Sequence, residues 1–144
     1  MATTWGQTPR QSILSECARV GTRELVSACL DVLSGQPLDP ALGYVLAGPA
    51  SRPVIEGREG GASGYWPKVW ALRALLYAWN PVATARVIER LSDPAWRVRE
   101  MAAKVVARQR LDEALESLGA LEHDDVARVR RAAQRAVMAL VAAG

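Results

Sequence analysis

The chain has 144 residues, of which 50% are hydrophobic and 23% are charged, and its formal net charge is +3. This length and composition are typical of one globular domain that builds its core without disulfides or a metal ion. The N-terminal sequence has no basic start and no apolar run, and no apolar stretch approaches the roughly 18 residues of a membrane span. We therefore expect a cytoplasmic protein without a membrane segment.

Capping residues, prolines and glycines divide the first third of the chain into helices. Thr8-Pro9 and Asp39-Pro40 each pair a capping side chain with proline at the first helical position, and Gly21 and Gly35 end helical patterns. Residues 48–64 contain several Gly and Pro and no periodic pattern, which predicts a long loop. The helices are expected over 9–20, 22–34 (with Thr22 as a cap) and 40–46.

Helical punctuation continues through the rest of the chain. Asn80-Pro81 and Asp93-Pro94 each stop one helix and start another, and Asp112 and Asp124 or Asp125 can cap further helices. No run of alternating β-branched residues predicts a strand. The expected fold class is therefore all-α, with short turns between neighbouring helices. The helices are expected over 67–79, 81–91, 94–110, 112–121 and from about 125 to 142.

Two segments of the C-terminal half repeat each other. The sequence "DPAWRVREMAAK" at 93–104 matches "DDVARVRRAAQR" at 124–135, and the shift is 31 residues throughout. A period of this size built from two helices predicts a stacked helical solenoid. The repeated residues are Asp93, Arg97, Val98, Arg99 and Ala102, which recur as Asp124, Arg128, Val129, Arg130 and Ala133.

These segments resemble a known family. "LSDPAWRVREMAAKVV" and "LEHDDVARVRRAAQRAV" are similar to the short HEAT repeats also seen in phycobilisome-lyase-like proteins, and the likeness covers residues 66–143. It implies a small α-solenoid with an N-terminal helical cap. We expect a helical segment at 1–47, a loop at 48–64 and HEAT-like repeats at 65–144, together forming one compact domain. The family spans scaffolds, transport factors, lyases and DNA-repair proteins, so the resemblance says little about function.

The resemblance also implies an Asp–Arg ladder between successive repeats. It assigns Asp93 with Arg99 and Asp124 with Arg130 to this ladder, in a stabilising role. Trp70 stands where the first copy would carry the ladder arginine, so the ladder is expected to end there.

The segment "GREGGASGYWPKVWALRALLYAW" joins a glycine-rich loop to a helix that is apolar on every side. Such a helix is typical of a protein core. Alternatively, the free backbone amides of the loop and the cations could bind an anion, or the Trp and Arg side chains could anchor a protein partner. "GREGGASG" lacks the P-loop pattern and no strand precedes it. The candidate partner-binding residues are Arg58, Trp66, Lys68, Trp70 and Arg73.

Basic residues concentrate on the first helix of each clear repeat, whereas the helix between them and its turns are acidic. Stacking the basic helices side by side would form a surface suited to a phosphate backbone. The alternative is a solvated face whose arginines pair with nearby Glu and Asp. The candidate nucleic-acid face consists of Arg97, Lys104, Arg108, Arg128, Arg131 and Arg135.

Little in the sequence predicts catalysis, a metal or a cofactor. His123 is the only histidine and lies beside a predicted turn, and Cys17 and Cys29 lie in separate predicted helices without metal-ligand spacing. Glu56 and Glu59 are the best acid pair, but nothing fixes their separation and a charged loop explains them better. We expect no catalytic residue, no metal and no cofactor.

The expected function is that of a non-catalytic binding or scaffold module whose partner is another protein. Nucleic-acid binding through the basic face and a small-ligand pocket beside the glycine-rich loop are the alternatives. Self-association through the last helix is a further expectation, with Val137, Leu140 and Val141 packed inward and Met138 and Ala142 partly exposed.

Overall fold

The computed structural model describes residues 5–142, and every regular element within that range is helical. Residues 1–4 and 143–144, the outer ends of the predicted segments, lie outside it. The all-α fold class is confirmed. The α-helices are α1 (Pro9–Val20), α2 (Thr22–Leu33), α3 (Pro40–Ala47), α4 (Ser51–Ile55), α5 (Tyr65–Ala74), α6 (Thr84–Arg90), α7 (Trp96–Gln109), α8 (Leu115–Leu121) and α9 (Ala127–Ala142), and the 3₁₀ turns are Gly48–Ala50, Pro81–Ala83 and Asp112–Ala114.

The predicted caps explain where α1 and α3 begin. The Thr8 side chain accepts from the backbone N–H of Gln11, and the Gln11 side chain accepts from the backbone N–H of Thr8, which completes a capping box. The Asp39 carboxylate accepts from the N–H of Leu42 in the same way. Gly21, with φ of 99°, is the N-cap of α2, so the expected capping role of Thr22 is wrong.

The chain forms two compact units, residues 1–80 and 81–144. In the first unit, α2 packs against α1 and α5, and α3 packs against α1, α4 and α5. Full burial of a Leu, Ile or Val side chain stabilises a fold by roughly 1.5–3 kcal/mol, so such a core holds the unit together. The largest fully buried side chains are Ile13, Leu25, Val26, Leu33, Leu46, Val54, Leu72 and Leu75.

In the second unit, α7 packs along α9, with α6 against α7 and α8 against α9. Val98 and Val129, which are equivalent in the repeat, are both fully buried. The repeat therefore reflects the shared apolar face that each copy turns toward its neighbours. Because α5 packs against the N-terminal helices, it belongs to the first unit, and the boundary between the two units follows residue 80.

Three local expectations are wrong. Residues 48–64 do not form a loop throughout, because the 3₁₀ turn is followed directly by α4. The helix predicted to reach residue 79 ends at Ala74, and tighter turns carry the chain from there to Ala78. Val141 was expected to pack inward, but its side chain is 66% exposed. Met138, which was expected to be partly exposed, is 70% exposed. Self-association through α9 stays a prediction.

Candidate functional site

A groove in the first unit, lined by described residues, has a volume of about 690 Å³. It lies along the end of α3, the 3₁₀ turn and α4. Three prolines, Ile55 and Tyr44 give it an apolar lining, and Tyr44 is 54% exposed although it is a large aromatic residue. Pockets of this size and character accommodate small ligands or several side chains of a peptide. The lining residues are Pro40, Tyr44, Gly48, Pro49, Ser51, Arg52, Pro53, Ile55, Glu56 and Arg58.

Glycine and proline positions shape this groove. Gly48 ends α3 with φ of 61°, a backbone conformation that favours glycine, and Pro49 suits the following 3₁₀ turn. The Ser51 hydroxyl donates to the carbonyl of Gly48 at 2.8 Å and ties the start of α4 to the end of α3. Gly43 leaves space on α3 for the side chain of Ile55.

Trp5 covers the other side of Gly48. A methyl group at Gly48 would overlap the Trp5 ring, which also makes an edge-on contact with Tyr44 at 6.2 Å between centroids. Within residues 5–142 the Trp5 indole N–H is buried and has no hydrogen-bond acceptor. Tyr44 of the groove thus contacts a residue more than thirty positions earlier in the chain.

The charged rim of the groove consists of Arg52, Glu56 and Arg58. The Arg52 Nε donates to Glu56 Oε1 at 2.8 Å, and the Arg58 Nη2 donates to Glu56 Oε2 at 2.6 Å. These hydrogen bonds, from Arg52 first and Arg58 second, hold the pKa of Glu56 below its usual range. Glu56 is thus ionised at neutral pH, which does not suit a general acid. Both arginines remain largely exposed.

The five predicted partner-binding residues do not form one surface. Arg58 lies at the groove, whereas Trp70 is only 7% exposed and belongs to the core. Trp66 is half-buried and stacks on Trp70, with ring centroids 6.3 Å apart. Lys68 is also half-buried. Arg73 donates to the carbonyl of Leu46 at 2.8 Å.

Arg73 therefore has a structural contact. Burial lowers the pKa of its guanidinium, with the nearby Tyr77 acting in the opposite direction. The Leu46 carbonyl lies in the last turn of α3, where backbone oxygens have no helical partner, and a cation is favoured there. Arg73 therefore joins α5 to the end of α3.

Five of the six residues of the predicted basic face fall into two groups, and the sixth, Arg97, lies over the Trp96 ring. In the first, Glu100 is buried and accepts two hydrogen bonds from Arg128, from Nε at 2.9 Å and from Nη2 at 3.2 Å, with Lys104 Nζ 4.0 Å away. The second group comprises Arg108, Arg131 and Arg135, which are exposed and pair with no carboxylate among residues 5–142. The expectation of a solvated, paired face thus fits only the first group.

Trp96 has a role that the sequence analysis missed. The guanidinium carbons of Arg97 and Arg128 lie 4.4 and 5.1 Å from the centroid of its ring, which is cation–π distance. Trp96 and Arg128 are on different repeats, so this contact helps to fix α9 against α7. The sequence contains a signal for this contact. Arg97 directly follows Trp96, and Arg128 is the equivalent of Arg97 in the next repeat, 31 residues later.

The ladder contacts differ from the predicted pairs. Arg99 does not pair with the carboxylate of its own repeat but with Asp124 of the next, through Nε at 2.8 Å and Nη2 at 3.1 Å. Its Nη1 donates to the carbonyl of Asp93 at 2.8 Å. Arg130 likewise donates to the backbone carbonyl of Asp124 at 2.6 Å. Asp93 forms an ion pair with Arg90 at 3.1 Å. Arg99 and Arg130 therefore each donate to the backbone of the turn before their own helix, and Arg99 also links the two repeats.

Both ladder aspartates also organise the turn before a helix. Asp93 accepts from the N–H of Ala95 at 2.9 Å, and Asp124 accepts from the N–H of Val126 at the same distance. Burial raises the pKa of the Asp124 carboxyl. The hydrogen bonds from Arg99 and Val126, together with the charges of Arg99 and Arg130, lower it by more, so the pKa of Asp124 lies below its usual range. The structure thus supports a stabilising role for these residues.

Comparison with known protein families identifies a match over the C-terminal part of the chain. The sequence model of HEAT repeats matches residues 65–138, just over half of the chain. The chain belongs to the HEAT-repeat family. Searches of curated proteins and of solved structures found no significant match. The resemblance noted from the repeated "RVR" segments is confirmed, and HEAT repeats generally mediate protein–protein interaction or scaffolding.

In the described part of this HEAT-repeat protein, the other residues considered for catalysis or metal binding lie apart or are buried. Among residues 5–142, no three His, Cys, Asp or Glu side chains are placed to hold a metal ion. His123 and Glu59 are exposed. Cys29 is buried in α2, and burial raises the pKa of its thiol to about 12, with a smaller contribution from Cys17. Within the same range, no helix is both long and apolar enough to cross a membrane.

Proposed function

We propose that this HEAT-repeat protein is a non-catalytic binding module for another protein, and that the groove beside α3 and α4 is its binding surface. The observation that carries the proposal is the exposed Tyr44 in a cavity of about 690 Å³ with an apolar lining. Aromatic and arginine side chains contribute most of the binding energy at protein interfaces, and this groove has both.

The groove also suits binding because it is largely preformed. The Gly48 turn and the Ser51 hydrogen bond fix α4 on α3, and Arg73 ties α3 to α5. A preformed surface loses less conformational entropy when a partner docks, which favours affinity. This proposal replaces the surface predicted around Trp66 and Trp70 and retains Arg58 from it.

The test compares two variants of the tagged full chain, Tyr44→Ser and the control Met138→Ser. Both remove an exposed apolar side chain, but Met138 lies on α9 of the other unit. Each protein is used to capture partners from the native lysate after nuclease treatment. A partner held in stoichiometric amount by the wild type and by Met138→Ser, and lost from Tyr44→Ser, supports the proposal. A partner retained equally by Tyr44→Ser would refute the groove as its binding surface.

A second candidate function is nucleic-acid binding through α7 and α9. The supporting observation is the exposed group Arg108, Arg131 and Arg135, which has no carboxylate partner in the described part of the chain. Arg131 and Arg135 are four residues apart on α9 and so share one helical face. Such unpaired cations are free to neutralise phosphates.

Salt dependence tests this candidate directly. The double variant Arg131→Ala/Arg135→Ala should bind duplex DNA more weakly and lower the salt slope by about one for each lost phosphate contact. The control Arg10→Ala/Arg23→Ala removes two exposed arginines from α1 and α2. Equal binding by both variants would remove the α9 face from consideration.

A further inference from the structure

The rim of the groove carries a net positive charge. Among the described residues, the charged side chains that line it are Arg52, Arg58 and Glu56, two cations against one anion. A guanidinium has five N–H donors, and the contacts with Glu56 use one donor of each arginine. Unused donors therefore remain beside the apolar lining.

We propose that the groove binds a segment of the partner protein that carries an apolar side chain next to an Asp or Glu. This inference rests on the proposed function and specifies the chemistry of its partner. The apolar side chain would contact Tyr44, Pro53 and Ile55, and the carboxylate would bind Arg52 and Arg58. Charge complementarity selects this class, since a basic segment would face the two arginines at the rim.

Glu56 acts as an internal competitor in this arrangement. Its carboxylate accepts hydrogen bonds from Arg52 and Arg58 in the free protein. An incoming carboxylate must therefore share these donors with Glu56 or displace it. Neutralising Glu56 should therefore strengthen the binding of an acidic segment, whereas damage to the groove should weaken it. The sign of this effect separates the charge mechanism from a general structural disturbance.

The experiment selects short random peptides, displayed on phage, against the full chain, and then measures the affinity of the selected peptides as synthetic probes. We expect enrichment of Asp and Glu beside apolar residues. Arg52→Gln/Arg58→Gln should lower the affinity roughly threefold to tenfold, and Glu56→Gln should raise it by a similar factor. The control Arg10→Gln/Arg23→Gln should leave it unchanged, and added salt should weaken wild-type binding.

The outcomes distinguish the two proposals. Selected peptides that lose binding to Tyr44→Ser but lack acidic residues would overturn the acidic-segment inference and leave the groove intact. The acidic-segment inference would also be overturned if acidic peptides bound the Glu56→Gln variant more weakly than the wild type. The same holds if their affinity were unchanged in Arg52→Gln/Arg58→Gln. Peptides that bind Tyr44→Ser as well as the wild type, or no enrichment at all, would overturn both proposals.

Discussion

Replacing Arg99 with alanine should destabilise the protein far more than replacing Arg130, its equivalent in the next repeat. Arg99 holds the Asp124 carboxylate with two hydrogen bonds and donates to the carbonyls of Asp93 and Pro94. Arg130 has a single hydrogen bond, to the carbonyl of Asp124, and no ion pair among residues 5–142. The two variants therefore differ chiefly by the link between repeats.

The expected magnitudes come from burial. The Arg99 and Asp124 side chains are 17% and 8% exposed, so removing Arg99 leaves a largely buried carboxylate without its cation. Breaking a fully buried pair in this way costs about 3–5 kcal/mol, and the partial exposure reduces the expected loss for Arg99→Ala to about 2–4 kcal/mol. Loss of one hydrogen bond in Arg130→Ala should cost about 1 kcal/mol.

Urea unfolding followed by far-UV circular dichroism measures both free energies of unfolding. A double-mutant cycle with Arg99→Ala and Asp124→Ala should give a coupling energy above about 1 kcal/mol, because the two side chains are in direct contact. Equal losses for the Arg99 and Arg130 variants, together with a coupling energy near zero, would show that the bidentate pair does not stabilise the stacked repeats.

Three further predictions concern acid stability, thiol reactivity and a glycine. Folded Asp124 has a lowered pKa, so its contribution to stability is fully present above its unfolded pKa of about 4 and is lost as the pH falls through the folded value. Urea titrations should therefore show weaker acid destabilisation for Asp124→Asn than for the wild type; parallel profiles would contradict this. Cys29, with a pKa of about 12 in a buried site, should resist iodoacetamide in the folded protein and react only after unfolding, as read by mass spectrometry of its peptide. Labelling at the rate of an exposed cysteine would show that α2 opens readily. Gly48→Ala should cost about 2–4 kcal/mol and Gly57→Ala about 1–2 kcal/mol, because both have positive φ but only the methyl at Gly48 overlaps Trp5. Similar losses in urea unfolding would mean that Trp5 moves aside at little cost.

Sequence reasoning located the helices because their signals are local. Thr8 and Asp39 cap their helices within three residues of the N–H groups that they accept from, and such contacts depend only on the neighbouring chain. The early end of α5 at Ala74 had no such signal, since no glycine or proline lies nearby. Ser51–Ile55 was missed because five residues are too few to show a helical period.

The candidate site was much less predictable from sequence. The groove is formed by Pro40, Tyr44 and the segment that was expected to be a loop, and it depends on α4 packing against α3. Trp70 and Arg73 looked functional because aromatic and basic residues are common at interfaces. Tertiary packing instead buries Trp70 and directs Arg73 to a helix end. A single sequence shows which side chains could bind, but not which of them the core occupies.

The repeat shows the same limit at the level of single contacts. Glu100 and Arg131 occupy equivalent positions, 31 residues apart, yet one is a buried carboxylate and the other an exposed cation. Glu100 neutralises Arg128 and approaches Lys104, whereas α9 has no acidic residue with which to pair Arg131 or Arg135. One equivalent backbone position therefore carries opposite charges in the two repeats. Two of the three unpaired cations, Arg131 and Arg135, lie on α9 and the third, Arg108, lies on α7, so the first variants that test a phosphate-binding function belong on α9.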